Sequence, residues 1–167
     1  MAKERLSAAT FVTKGYGQLE DNHLSARRTG QIYAQLPLAS TVSKLENGQF
    51  AKYDLSAGAV NFTGKGEFML CNTTPKLYRD DETDEDFAVK APMYPRMFKT
   101  NIGDIFTTNT ITGTTETIKK DVVLVPNAST GILEVKQTPA ATDMQCLVVK
   151  VYTLPDGKPA AKLVRIN

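Results

Sequence analysis

From Thr41 onward the apolar stretches are short, and glycine, proline or an asparagine–glycine pair recurs between them. Such a chain offers no segment with the length of a stable amphipathic helix, and its spacing is that of short strands joined by turns. Residues 49–54 alternate imperfectly, and Val60 and Phe62 share one face while Asn61 and Thr63 share the other. Phe68-Met69-Leu70-Cys71 is apolar throughout, which suits a central strand covered on both sides. Further strands are expected over 103–111, 121–125, 132–136, 146–154 and 162–166. The turns are expected at Glu46-Asn47-Gly48-Gln49, where positive φ angles suit a tight hairpin, at Ala57-Gly58, at Gly64-Lys65-Gly66, over 127–131 and at Pro155-Asp156-Gly157-Lys158. Threonine reinforces the assignment: 20 are present, eight of them between Thr100 and Thr117, and a β-branched side chain suits a pleated, half-exposed surface. The expected fold is all-β or β-rich, a sandwich or barrel of short antiparallel strands.

Residues 1–38 differ from the rest. Gly15, Gly17 and Gly30 interrupt them, and Phe11, Val12, Tyr16, Leu19, Leu24, Ile32, Tyr33 and Leu36 keep no period. A short helix fits residues 21–28, with Asp21 or Asn22 as its cap. The segment reads as an extended N-terminal arm, residues 1–38, that packs on another body. The alternative is an irregular segment lying across the chain's own core. Residues 39–167 then form the β domain. The arm is mildly basic, and Arg5, Phe11, Tyr16, Arg27, Arg28 and Tyr33 are its candidate interface residues, because arginine and aromatic side chains anchor protein interfaces. A second charged feature is the run Asp80, Asp81, Glu82, Asp84, Glu85 and Asp86, six of the 18 acids within seven positions. Self-repulsion favours a solvated, protruding loop and an electrostatic contact for a basic partner. The run lacks the central glycine of a helix–loop–helix calcium site.

Chemistry has little raw material. Twenty Lys and Arg against 18 Asp and Glu leave a net charge of +2, too little to hold nucleic acid by bulk charge, so no direct nucleic-acid partner is expected. No apolar run has membrane-spanning length, and the start of the sequence lacks the apolar core of a signal peptide; the expectations are no membrane partner and synthesis in a cytoplasm. His23 is the single imidazole and no Gly-x-Ser-x-Gly elbow is present, so neither a serine triad nor a multi-histidine metal site is expected. Cys71 and Cys146 sit in apolar stretches and read as buried thiols. Thr63-Gly64-Lys65-Gly66 has neither the spacing nor the Ser or Thr of a phosphate loop. The sequons at Asn61, Asn72 and Asn127 read as chance in a threonine-rich chain. The chain is expected to be no enzyme, with no catalytic residue, cofactor or metal.

Three stretches carry a resemblance: Leu45-Glu46-Asn47-Gly48-Gln49-Phe50-Ala51-Lys52-Tyr53-Asp54, then Gly58-Ala59-Val60-Asn61-Phe62, then Ile102-Gly103-Asp104-Ile105-Phe106-Thr107-Thr108-Asn109. In this texture the chain resembles virion structural proteins of tailed bacteriophages, most of all the auxiliary capsid proteins, called decoration or cement proteins. The resemblance implies a virion protein made in the host cytoplasm, a homo-oligomer whose partners are the major capsid protein or other virion proteins. It implies binding to the capsid lattice at junctions between capsomers. Other head or tail components share the texture, and a β-sandwich carbohydrate-binding or adhesin module is the alternative outside the virion. The chain has no Trp for sugar stacking, although Tyr53, Tyr78, Tyr94 and Tyr152 are available.

Overall fold

The structure is a computed structural model that describes Phe11, residues 17–75 and residues 87–167. In chain order the strands are β1 (Leu19–His23), β2 (Ile32–Tyr33), β3 (Phe50–Asp54), β4 (Ala59–Asn61), β5 (Phe68–Cys71) and β6 (Met97–Phe98). They continue as β7 (Ile105–Thr108), β8 (Ile111–Thr112), β9 (Val123–Pro126), β10 (Leu133–Val135), β11 (Cys146–Thr153) and β12 (Pro159–Arg165), and one short helix, α1 (Ala26–Thr29), follows β1. They form a seven-stranded sheet in the order β1-β7-β12-β11-β9-β10-β8 and a five-stranded sheet in the order β2-β6-β5-β3-β4. All pairings are antiparallel except β10 with β8. The fold is β-rich, as the turn spacing predicts, and of the two expected arrangements it is the sandwich.

Strand alternation explains how the layers meet. Phe50, Leu70 and Phe98 of the small sheet face Phe106, Leu124, Leu133, Cys146, Val148, Ala161 and Leu163 of the large one in a common core. Phe50 and Phe106 meet edge to face with ring centroids 5.9 Å apart. The opposite face of the small sheet, through Ala51, Tyr53, Val60, Met69, Cys71 and Met97, packs on Leu38, Val42, Leu45 and Val89 from the loops. The small sheet is therefore covered on both sides, and its middle strand β5 is the apolar run that lacks alternation. The two cysteines are free and buried in different clusters, and burial pushes each thiol up to about 12.

Three expectations need correction. Residues 21–28 are not one helix: 19–23 form β1, which pairs with β7, and only Ala26–Thr29 is helical. The side chains expected to cap it are engaged elsewhere, Asn22 accepting from Thr107 Oγ1 at 2.7 Å and Asp21 pairing with Arg27. Ser25 stands at the helix start, and its Oγ donates instead to Asp104 Oδ2 at 3.0 Å. Second, the described part of residues 1–38 is no extended arm. Phe11, Leu24 and Ala26 are buried in the common core, β1 is an edge strand of the large sheet and β2 an edge strand of the small one. Apolar residues without a period are what a segment produces when it crosses from one sheet to the other. Third, Asn47-Gly48 makes its turn, with φ +84° at Gly48, but closes no hairpin. Leu45 pairs with Val89, and Gly48 N–H donates to Cys71 O at 3.0 Å. The final hairpin is as expected, with Leu154 N–H donating to Lys158 O at 2.7 Å and Gly157 at φ +81°.

Candidate functional site

The candidate interface residues do not come together. Phe11 is fully buried, so no partner can reach it. Arg27 and Arg28 are exposed on α1; the Arg27 guanidinium lies 5.3 Å from the centre of the Phe98 ring, beside the common core. The Tyr33 ring lies tilted against that of Tyr53 with centroids 5.3 Å apart, and Tyr53 belongs to the cluster on the other side of the small sheet. Arg27 and Tyr33 thus serve opposite faces. Arg5, Tyr16 and the acidic run Asp80, Asp81, Glu82, Asp84, Glu85 and Asp86 lie outside the described residues.

The glycine loop near Lys65 is closed to phosphate by the chain itself. Asp54 accepts from Ser56 N–H at 2.9 Å, Ser56 Oγ at 2.6 Å, Ala57 N–H at 3.0 Å and Lys65 N–H at 2.8 Å. These donors, the Ser56 side chain foremost, hold the Asp54 carboxyl well below the usual carboxylate range. A carboxylate already occupies the place an anion would take.

A groove of about 540 Å³ opens between the two sheets, lined by Lys52, Phe68, Asn127, Glu134, Lys136 and Asp143 among others. Its polar groups are spent on one another. Lys136 Nζ is 2.7 Å from Asp143 Oδ2 and draws that carboxyl below its ordinary range, Asn127 Nδ2 donates to Glu134 Oε2 at 2.9 Å, and Lys52 Nζ covers the Phe68 ring at 5.1 Å. Among the described residues no three His, Cys, Asp or Glu side chains form a possible metal cluster.

The outer face of the large sheet is different. Phe106, Leu163, Val148, Cys146 and Leu124 point into the core, so their strand neighbours Ile105, Val164, Leu147 and Val123 point away from it. Register then aligns them: Ile105 opposes Val164, Val164 opposes Leu147 and Leu147 opposes Val123. Four apolar side chains, all half-buried, cross four adjacent strands in one row, and Val149 and Ile166 beside it are 41% and 40% exposed. The next row on this face is polar. Glu20 opposes Thr107, Thr107 opposes Lys162 and Lys162 opposes Lys150. Tyr152 spans it, donating to Glu20 Oε2 at 2.9 Å with its hydroxyl 3.0 Å from Thr107 Oγ1. Burial holds the Tyr152 hydroxyl above its usual range, and the Glu20 carboxylate pushes the same way. The opposition of two lysines follows from a β-bulge. Register shifts between Val148 and Lys150, so that Val149 is the extra residue and Lys150 meets Lys162. Sequence reading misses this face: alternation shows which residues of one strand point out, but only register places those of four strands together.

The chain matches none of the known protein families, curated proteins or solved structures with which it was compared.

Proposed function

We propose that the chain is a virion structural protein, an auxiliary capsid protein of the decoration or cement kind that its sequence resembles. On this reading it is made in the host cytoplasm, works as a homo-oligomer on the virion and acts through protein–protein contact alone. The observation that supports it is the apolar row Ile105–Val164–Leu147–Val123 on the outer face of the large sheet. A row of side chains fixed on paired strands loses little freedom on docking, and its apolar surface contributes by leaving water. Mechanically, each copy adds buried area across a junction that must open before a shell can burst, and repetition over the lattice multiplies the effect.

The partner is a shell protein whose exposed surface carries a matching apolar strip, and Leu147 and Val164 are the central contacts. The variant Leu147→Asp with Val164→Asp places two carboxylates in the middle of the row while leaving every core-facing residue intact. Purified wild-type and variant chains are sedimented with empty heads of the phage that encodes them. The expected result is stoichiometric co-sedimentation of wild type and at least a tenfold loss for the variant. Full co-sedimentation of a folded variant refutes this face, and no co-sedimentation of wild type refutes the capsid role. Truncation of residues 1–30 is a poor substitute, because it removes Phe11, Leu24 and Ala26 from the core.

A further inference from the structure

Beside the apolar row lies a cluster of like charges, whose Lys150 Nζ lies 5.8 Å from the centre of the Tyr152 ring. Lys150 and Lys162 are directly opposed on antiparallel strands, where side chains stand about 5 Å apart at Cβ and like charges weaken the pairing. Lys119 and Lys120, both exposed, enter next to them, because Asp121 N–H donates to Val148 O at 2.9 Å. Among the described residues none of these four lysines has a carboxylate within ion-pair distance. The acids nearby are Asp121, in the same turn, and Glu20, which accepts the Tyr152 hydroxyl. The bulge at Val149 creates the opposition: with unbroken register Val149 would face Lys162, and the lysines would not meet.

We infer that this lysine cluster receives the acidic run 80–86 of a second copy of the chain. Charge complementarity selects the occupant. The cluster calls for several carboxylates close together, and the chain's densest source is the run with six acids in seven positions. Two identical lysine faces would repel each other, so a face-to-face dimer is disfavoured and the contact joins different surfaces of the two copies. Such a head-to-tail contact either closes into a ring or propagates along a lattice. It gives the homo-oligomer of the proposed function its contact and in that sense rests on that reading, yet it is tested on the purified chain alone. The apolar row remains open for the shell protein while the lysines hold the neighbour.

The test is a charge swap read by sedimentation velocity and native mass spectrometry. Variant one carries Lys150→Glu and Lys162→Glu; variant two carries Asp84→Lys, Glu85→Lys and Asp86→Lys. Wild type is expected to associate in about 20 mM salt and to weaken steeply by about 300 mM, as screening shortens the reach of the charges. Each variant alone is expected to associate at least tenfold more weakly, and an equimolar mixture to recover a one-to-one pair, since the intact lysine cluster of variant two then meets the intact acidic run of variant one. Circular dichroism confirms that the variants are folded. A wild type that stays monomeric at hundreds of micromolar in low salt overturns the inference, as do variants that associate like wild type or a mixture that fails to recover. A monomeric wild type that still co-sediments with heads refutes this contact and leaves the capsid role standing.

Discussion

Phe11 separates two accounts of the N-terminal segment that the sequence leaves open. As an interface anchor on an extended arm it would stand in water in the isolated chain, and its removal would shift stability by no more than about 0.5 kcal/mol. In the structure it is fully buried in the common core, its N–H donates to Gly113 O at 3.3 Å, and it joins a cluster containing Leu24, Phe106 and Ile118. Truncating a fully buried phenylalanine to alanine costs about 3–5 kcal/mol, the sum of lost transfer energy and the cavity left behind. With a urea slope of about 2 kcal/mol/M for a domain of this size, Phe11→Ala is expected to lower the unfolding midpoint by about 1.5–2.5 M. A domain of ordinary stability has about 5–15 kcal/mol in total, so the alanine variant can fall near the edge of folding. Phe11→Leu keeps the measurement usable, because a hydrophobic swap of similar volume costs less than about 1.5 kcal/mol. The graded order wild type, leucine, alanine in equilibrium urea unfolding, followed by far-ultraviolet circular dichroism, supports packing. An alanine variant within about 0.5 kcal/mol of wild type that has lost binding to heads refutes the buried placement and restores the arm.

Acid should act through Asp54. Its carboxyl is held below the ordinary range by four donors, so the folded pKa lies below the unfolded one; the stabilisation is complete above the unfolded value of about 3.9 and is lost as pH falls through the folded value. Melting temperature between pH 5 and pH 2 should therefore fall less steeply in Asp54→Asn than in wild type, and equal slopes would remove Asp54 from the account. Cys71 and Cys146, each buried with its thiol pushed up to about 12, should resist a thiol-specific disulfide reagent at pH 8 for as long as the chain stays folded, and both should react at once in 8 M urea; rapid reaction of either in the native protein contradicts its burial.

What the sequence discloses and what it hides divide along one physical line. Properties that a single strand carries are legible: the apolar run at β5 marks a strand covered on both faces, and the glycine at 157 marks the last turn. Properties that need two strands to be set side by side are not. Residues 21–23 look like the start of a helix in isolation because nothing local reveals that β7 waits to pair with β1, with Thr107 donating to Asn22. The same holds for the outer face, and more sharply. Alternation alone says that Lys162 and Val164 point away from Leu163 and Ala161, but a one-residue slip would bring a different residue opposite each of them. The bulge at Val149 is such a slip made permanent. By inserting one residue it keeps Leu147 opposite Val164 on one side while bringing Lys150 opposite Lys162 on the other. One local irregularity thus lies between an apolar half and a basic half of the face, and deleting the extra residue tests what the bulge adds beyond register. A chain lacking Val149 would pair continuously from Leu147 to Thr153 in the existing register, with Lys150 still opposite Lys162 on the outer face. The expected result is a folded chain that keeps salt-dependent association. A folded deletion variant that has lost association would show that the bulge shapes the basic half beyond setting its register.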